Sequence, residues 1–322
     1  MQSILHFLAA GIVAALCAAP AAQAQGYPNK TVTAIPAFPA GAPNDLIMRL
    51  VAGRFAADLK QTLVVDNHPG AGGNIAAELV ARSAPDGYTL LATIDTVVTV
   101  NPTLYKTVAF KADSELVPVI YLADTAQTLV CNPSVPVKSV AELIAYARAN
   151  PLSYASGGQG TPGHLAAELF VAAAGVKMNH VPYKGPGPAA QDVLAGVVPC
   201  GFLATPVVMP HVKSGKLTAL AVTSTKRSTL APNVPTMAEA GIAGYEASFG
   251  EVLLAPRLTP APVIALLNAE FAKMLQEPEI RERMLSVDLE FVPNTPEQAH
   301  ARLQREGLRW KQVIERIGLK IE

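Results

Sequence analysis

The chain has 322 residues, with 25 basic and 25 acidic side chains and therefore a formal net charge of zero. Charged residues make up only 16% of the chain, and no basic run is present, which argues against nucleic-acid binding. This length favours two domains, each large enough to bury its own core.

The first 24 residues have the pattern of an export signal. An uncharged apolar run at 4–19 is shorter than a membrane-spanning helix requires. The following Ala22-Gln23-Ala24 has the small-x-small pattern of a cleavage site, although Lys and Arg are missing from the segment before the run. We expect cleavage after Ala24 and a mature chain in the periplasm.

Strands and helices alternate along the mature chain. In the first part, strands are predicted at 31–35, 62–65 and 88–93, with helices at 44–59 and 74–82. In the second part, strands are predicted at 128–131, 152–155, 179–182, 198–203 and 217–223, with helices at 140–149, 165–174 and 188–195. This order predicts an α/β fold with two units, each a mostly parallel sheet flanked by helices.

The C-terminal tail differs from both units. Its pattern predicts amphipathic helices at 262–276, 279–285 and 296–317, folded back onto the first unit. Apolar stretches at 116–122 and 252–255 flank the second unit, and we expect them to be the crossings between two lobes. The predicted division is a signal peptide at 1–24, domain 1 at 25–124 plus 252–322, and domain 2 at 125–251.

Three glycine-rich turns, at 38–45, 69–74 and 156–164, each join a predicted strand to a predicted helix. Glycine allows the backbone to approach a ligand, and the helix that follows offers free amides and a positive dipole end. Such turns suit a carboxylate or phosphate, and ligands of open α/β sheets bind at this edge. In the third turn Thr161 is expected to cap the helix. The alternative is that all three are only tight turns.

Motifs of the common enzyme and cofactor classes are missing. Residues 158–163 match G-x-G-x-x-G, but the next predicted strand ends without the acidic residue that a nicotinamide dinucleotide requires. No phosphate-binding P-loop, G-x-S-x-G, H-E-x-x-H or C-x-x-C pattern occurs. His164 and Glu168 lie one helical turn apart and could form half a metal site, but a hydrogen bond near the cap is the simpler role of His164. We expect no cofactor, no metal and no catalytic residues.

Two cysteines, Cys131 and Cys200, remain after the predicted cleavage. Export makes a disulfide chemically possible. Both cysteines lie in apolar, strand-like stretches, and this favours two buried thiols that behave as small hydrophobic residues. Their spacing alone cannot show the geometry that a disulfide needs.

Short motifs follow one another over nearly all of the mature chain. They include Asn67-His68-Pro69-Gly70-Ala71-Gly72-Gly73-Asn74, Ala84-Pro85-Asp86-Gly87-Tyr88-Thr89-Leu90, Gly163-His164-Leu165 and His180-Val181-Pro182-Tyr183-Lys184-Gly185. In this order they resemble the receptors of tripartite tricarboxylate transporters, the Bug family of periplasmic solute-binding proteins. The resemblance implies a two-domain periplasmic-binding-protein (Venus-flytrap) fold that binds its ligand between two lobes, without catalysis.

The resemblance also implies that main-chain amides and ordered water in two loops hold ligand carboxylates, which here corresponds to Ala40, Gly41 and Ala42, and to Ser156, Gly157, Thr161 and His164. The full set of candidate ligand-binding residues is Phe38, Ala40, Gly41, Ala42, Asp45, Thr93, Asp95, Ser156, Gly157, Thr161, His164 and Lys184.

Several positions near the expected pocket depart from the family pattern. Ala42-Pro43 stands where more glycine is usual, and Pro43 has no amide to donate. Asp95 lies in a segment that usually carries small hydroxyl residues, and Phe249-Gly250-Glu251 replaces an aromatic cluster. The family's ligands are therefore not transferred to this chain.

We expect a monomeric receptor that binds a small carboxylate, amino acid or carboxamide and works with membrane transporter subunits. A carboxylate in a closed cleft needs a partner, so Asp95 favours a ligand with an ammonium, amide or hydroxyl donor. A helix cap or a solvated loop is the alternative role of Asp95. Two other functions remain open: a sensor that presents its closed form to a sensor kinase, and a periplasmic hydrolase or isomerase that uses His164 with Asp95 or Asp45.

Overall fold

The computed structural model describes residues 26–320, so the predicted signal peptide and its cleavage site lie outside the described residues. Ten strands in this range form two sheets of five. Between residues 26 and 320, no helix combines the length and the apolar composition that a membrane crossing requires.

The first sheet contains β1 (Val32–Pro36), β2 (Leu63–Val65), β3 (Thr89–Ile94), β4 (Leu116–Thr125) and β10 (Phe249–Pro256), in the order β2-β1-β3-β10-β4. The first three strands of this order pair in parallel, whereas β10 is antiparallel to both of its neighbours. Four strands therefore run in one direction, and β10 runs in the other.

The second sheet contains β5 (Gln127–Cys131), β6 (Ser153–Ser156), β7 (Asn179–Pro182), β8 (Cys200–Ala204) and β9 (Thr218–Val222), in the order β7-β6-β8-β5-β9. Here β5 is the antiparallel strand, again fourth in the order. The two sheets thus share one layout. The predicted two-lobed α/β fold is confirmed, with mixed sheets in which four of five strands share a direction.

The helices are α1 (Pro43–Leu59), α2 (Asn74–Ala81), α3 (Thr96–Thr99), α4 (Asn101–Leu104), α5 (Ala112–Glu115), α6 (Val140–Ala149), α7 (Pro162–Ala174), α8 (Pro186–Leu194), α9 (Thr205–Lys213), α10 (Ala261–Leu275), α11 (Pro278–Leu285) and α12 (Pro296–Ile317). Proline opens several of them, because its missing N–H would be unpaired there in any case. Thr295 and Gln298 form a capping box at the start of α12. Of this set, α3, α4, α5 and α9 were not predicted.

The predicted crossings at 116–122 and 252–255 are wrong, because both stretches are strands of the first sheet. Every residue of β10 is buried, and its part at 252–255 is a continuous apolar run without alternation, which is also typical of a buried connecting segment. The chain passes between the sheets at 125–127, where β4 ends and β5 begins, and again at 223–248. Because β4 ends and β5 starts at this passage, the carboxyl ends of the parallel strands of both sheets adjoin it.

The tail packs on the first sheet, as expected. Helix α10 contacts β4 and α1, and α12 contacts α3 and β4. The ring of Phe271 lies 6.0 Å from that of Phe55, and Trp310 stacks on Phe249 at 5.6 Å. The tail therefore completes the core of the first lobe.

The prediction of two free thiols is wrong, because Cys131 and Cys200 form a disulfide. The two residues lie directly opposite each other in the antiparallel pair of β5 and β8, with Cα atoms 4.0 Å apart. Their separation of 69 residues in sequence carries no information about this register.

Candidate functional site

The second-lobe loop, residues 156–164, joins β6 to α7 at the carboxyl edge of the second sheet. The Ser156 hydroxyl donates to the Gly158 carbonyl over 3.1 Å and accepts from the Gly158 N–H over 3.2 Å. Thr161 occupies the N-cap position, but its hydroxyl donates to the Gly158 carbonyl over 2.8 Å and makes no cap bond. Thr161 therefore occupies the predicted N-cap position, but the expected cap bond is wrong, because its hydroxyl bonds the Gly158 carbonyl within the loop instead.

His164 holds the same loop from inside. Its Nδ1 accepts from the Gly160 N–H over 3.0 Å, so the neutral ring carries its proton on Nε2. Its imidazole stacks on that of His180 at 4.0 Å, and His180 Nε2 lies 2.7 Å from the Ser156 hydroxyl. Burial lowers the pKa of His164 to about 3 and that of His180 to about 4, so both rings are neutral near pH 7.

Glu168 has a local partner in the Tyr154 hydroxyl, which donates to it over 2.6 Å. Within residues 26–320, no group of three or more side chains has the geometry to hold a metal ion. The hydrogen bond between Gly160 and His164 is the cap-region role that the sequence suggested as the simpler one.

Gly163 lies in the first turn of α7, where space is very tight. A Cβ atom at this position would lie 2.2 Å from the Phe202 carbonyl oxygen on β8. The helix start is therefore pressed against β8. The first-turn amides, which have no partner within the helix, lie near the carboxyl edge. Gly157 accepts from the Gly185 N–H over 2.9 Å, and Lys184 lies exposed just beyond β7.

The first-lobe loop, residues 38–45, leads into α1 and contains its own anion. The Gly41 N–H donates to Asp45 Oδ2 over 2.8 Å, and Arg49 Nε donates to Asp45 Oδ1 over 2.9 Å. Burial alone would raise the pKa of Asp45, but hydrogen bonds from Arg49, Gly41 and Asn67 hold it below its usual range. The carboxylate of Asp45 thus lies where a ligand carboxylate was expected.

Other backbone groups of this loop also have hydrogen-bond partners within the protein. The Ala42 N–H donates to the Pro39 carbonyl over 3.1 Å, and the Phe38 carbonyl accepts from Asn67 Nδ2 over 3.0 Å. Ala40 is exposed. The structure therefore brings the candidate residues of this loop together, but two of the three amides that the resemblance implied have protein partners.

Asp95 follows β3 and is only 2% exposed. Its Oδ2 accepts from the Gly250 N–H over 3.0 Å and lies 3.4 Å from the Tyr121 hydroxyl, while Oδ1 has no hydrogen-bond partner. Burial raises the pKa of Asp95 to about 7, against the opposing effect of the Arg302 charge. Asp95 stands at the N-cap position of α3 without a side-chain cap bond, so it is neither the helix cap nor the solvated residue of the alternative role.

Two buried polar residues at this edge were missed by the sequence analysis as binding candidates. Glu251 on β10 is 2% exposed and Asn44 on α1 is 1% exposed, and Oε2 of the first and Oδ1 of the second have no partner. Burial and the nearby Asp95 raise the pKa of Glu251 to about 8, against the opposing effect of a hydrogen bond with the Asn44 side chain. The hydroxyl of Thr93 is also buried without a partner. An acidic residue inside an otherwise apolar strand was the available signal for Glu251.

Two lobes with mixed sheets, linked by two passages and carrying their polar loops at adjoining carboxyl edges, define a two-lobed solute-binding protein. Residues 47–319 match the family described as tripartite tricarboxylate transporter family receptor. The chain is 36% identical to Protein BugT of Bordetella pertussis, and the match covers 100% of this chain and 99% of BugT.

Solved structures give the same relationship. The R. palustris protein Rpa4515 with adipate is 34% identical to this chain and superposes with a TM-score of 0.83. The match covers 91% of this chain and 99% of that one. MatC from Rhodopseudomonas palustris with bound malate is 30% identical and superposes with a TM-score of 0.78. The match covers 89% of this chain and 100% of that one.

The chain belongs to the tripartite tricarboxylate transporter receptor family. Its relatives are periplasmic solute-binding receptors and not enzymes, and the family works with transporter subunits. The resemblance read from the sequence motifs is thereby confirmed. The residues that contact a ligand and the division of the chain into domains stay predictions.

Proposed function

We propose that this chain binds a small carboxylate-bearing molecule between its two lobes and delivers it for uptake. The observation that carries the proposal is the second-lobe loop. It is closed by hydroxyls and by a neutral imidazole, and no carboxylate of the loop itself compensates the positive end of α7. A helix start of this kind favours an anion by typically about 0.3–1 kcal/mol, and by more when it is partly buried.

Related structures support a carboxylate as the anion. Rpa4515 and MatC are recorded with adipate and malate, both small dicarboxylates, at 34% and 30% identity to this chain. Two facing carboxyl edges suit a ligand with a polar group at each end, because each lobe can then hold one end.

The proposal includes export, with cleavage after Ala24, and a division into 25–124 plus 252–322 and 125–251. It assigns ligand contacts to Phe38, Ala40, Gly41, Ala42, Asp45, Thr93 and Asp95 of the first lobe and to Ser156, Gly157, Thr161, His164 and Lys184 of the second.

A thermal-shift screen of small carboxylates, including adipate and malate, tests this function on the mature chain. A ligand at 100 times its dissociation constant should add about 2.7 kcal/mol to the free energy of unfolding. Thr161→Ala loosens the second-lobe loop and should lose most of this ligand-induced gain. Thr295→Ala removes a cap bond in the tail, outside both loops, and should keep it.

Two results would contradict the proposal. The first is that no carboxylate stabilises the protein and mass spectrometry finds none co-purifying with it. The second is a bound carboxylate whose stabilising effect is the same in Thr161→Ala and Thr295→Ala, because the site would then lie away from α7.

A further inference from the structure

We propose that Glu251 and Asn44 form the first-lobe end of this site and select a ligand that carries a protonated amine as well as a carboxylate. The inference rests on the proposed function, because it needs the ligand's carboxylate to lie at the start of α7. It goes further by naming the chemical class of the other end of the ligand.

When Glu251 is ionised, the geometry shows an unmet need for a hydrogen-bond donor. Glu251 lies opposite Ile94 in the sheet register, at the end of β3, and Asn44 lies in the first turn of α1. Both are at the carboxyl edge of the first sheet, and each has a buried oxygen atom without a hydrogen-bond partner. A buried polar atom without a partner costs about 1–3 kcal/mol, so each such atom requires an explanation, and a ligand at this edge supplies one.

The surrounding charges favour a cation over a second anion. The charged groups on the elements that contact β10 are Asp95 after β3, Asp124 at the end of β4, Glu78 on α2, and Asp45, Arg49, Arg54 and Asp58 on α1. Arg302 and Glu306 of α12 lie close to Gly250 and Asp95. The three arginines already have carboxylate partners, since Arg302 bonds Asp124, Arg49 bonds Asp45 and Arg54 bonds Asp58. Ionised Glu251 therefore has no cation of its own, and a ligand ammonium would supply it together with three hydrogen-bond donors.

Binding of such a ligand should release a proton. Burial, followed by the nearby Asp95, raises the pKa of Glu251 to about 8, so its carboxyl group is mostly protonated at pH 7 in the free protein. An ammonium beside it favours the ionised form, and the proton leaves to solvent. A second ligand carboxylate would instead keep Glu251 protonated.

Titration calorimetry with matched ligand pairs tests this inference. The probes are 4-aminobutyrate against succinate and 6-aminohexanoate against adipate, which differ mainly in an ammonium or a carboxylate at one end. In the wild type at pH 8, we expect the better-fitting amine to bind more tightly than its dicarboxylate partner. Glu251→Gln should weaken that amine about 30-fold or more and leave the dicarboxylate unchanged or tighter. Glu290→Gln makes the same change at an exposed position and should alter neither.

Proton release needs no variant and separates a ligand contact from a structural role. In buffers of different ionisation enthalpy, the amine should release more protons at pH 7 from the wild type than from Glu251→Gln, by close to one, because the nearby Asp95 contributes in both proteins. Tighter binding of both dicarboxylates, or equal affinities of the wild type and Glu251→Gln for the amine, would overturn the inference and leave the proposed function intact. If no probe or other carboxylate binds, the proposed function fails first and the inference falls with it.

Discussion

The first-lobe and second-lobe loops look alike in sequence, but different groups lie at the two helix ends. At α1, the Asp45 carboxylate accepts the Gly41 amide and pairs with Arg49. At α7, a neutral His164 accepts the Gly160 amide, and hydroxyls close the turn. A glycine-rich turn before a helix is therefore an open anion site only when the chain does not supply the anion itself.

The loops also differ in how tightly their glycines are enclosed, and this gives the largest expected effect. Gly163→Ala would place a methyl group 2.2 Å from the Phe202 carbonyl oxygen, a backbone atom that cannot move alone. We expect a loss of about 3 kcal/mol in the free energy of unfolding, at the upper end for overpacking. Carboxylate binding should be lost as well, because α7 must shift away from β8.

Gly41→Ala is the matched change in the first lobe. Its Cβ would meet no atom within 4 Å, and only the positive φ of 86° opposes it, so about 1 kcal/mol is expected. Chemical unfolding and ligand titration of both variants measure the difference. Equal losses of stability, or a Gly163→Ala protein that still binds its carboxylate, would show that the second-lobe loop is no more constrained than the first.

The alternation of elements was readable from the sequence because amphipathic helices and short apolar strands have distinct periods. The alternation of apolar and polar residues failed to identify a strand where both faces of the strand are buried. β10 is buried along its whole length, so its apolar run carries no period and was interpreted as a crossing. The prediction of two free thiols failed for a related reason. The pairing of β5 with β8 is a long-range register, and no local sequence pattern encodes it.

The site was predictable as a set of loops but not as a set of contacts. The sequence places Asp45 three residues into α1, yet only the folded loop shows that it accepts the Gly41 amide. Asp95 lies at the carboxyl edge of the first sheet, as expected, but its contacts with Gly250 and Tyr121 from distant strands could not be read from the sequence. The sequence shows Glu251 only as an acidic residue beside an apolar stretch, whereas its burial and its unpartnered oxygen are properties of the fold.

The buried His164 should make the second-lobe loop sensitive to mild acid, and this is the next largest expected effect. His164 has a pKa of about 3 in the folded protein, below the value of about 6.5 in an unfolded chain. The unfolded state therefore binds more protons, and stability that is fully present above pH 6.5 is lost progressively as the pH falls toward 3. Linkage gives a loss of about 2 kcal/mol at pH 5 from this residue.

His164→Asn should reduce that acid-dependent loss, whereas His211→Asn, a change on α9 outside both loops, should keep it. The measurement is the free energy of unfolding of the unliganded protein at pH 7, 6 and 5. If all three proteins lose the same stability over this range, His164 is not a neutral buried group in the folded state.

Asp45→Asn tests the comparison from the first lobe, with the smallest expected effect. The variant keeps an oxygen atom for the Gly41 amide but loses the negative charge, so about 1 kcal/mol of stability should be lost at pH 7. Because the folded pKa of Asp45 is lowered, its contribution is present above the unfolded value of about 4 and is lost as the pH falls through the folded pKa. Wild type and variant should therefore converge in acid.

The same variant should bind a dicarboxylate more tightly than the wild type, and this opposite sign makes the test specific. Without the Asp45 charge, the positive end of α1 is no longer compensated, and an anionic ligand group there gains about 0.3–1 kcal/mol, or roughly two- to fivefold in affinity. Asp58→Asn is the control, because Asp58 lies at the other end of α1 and pairs with Arg54 and Lys273. It should lose stability without any gain in affinity. A gain in both variants would reflect net charge alone, and a gain in neither would mean that the ligand's charge does not reach the start of α1.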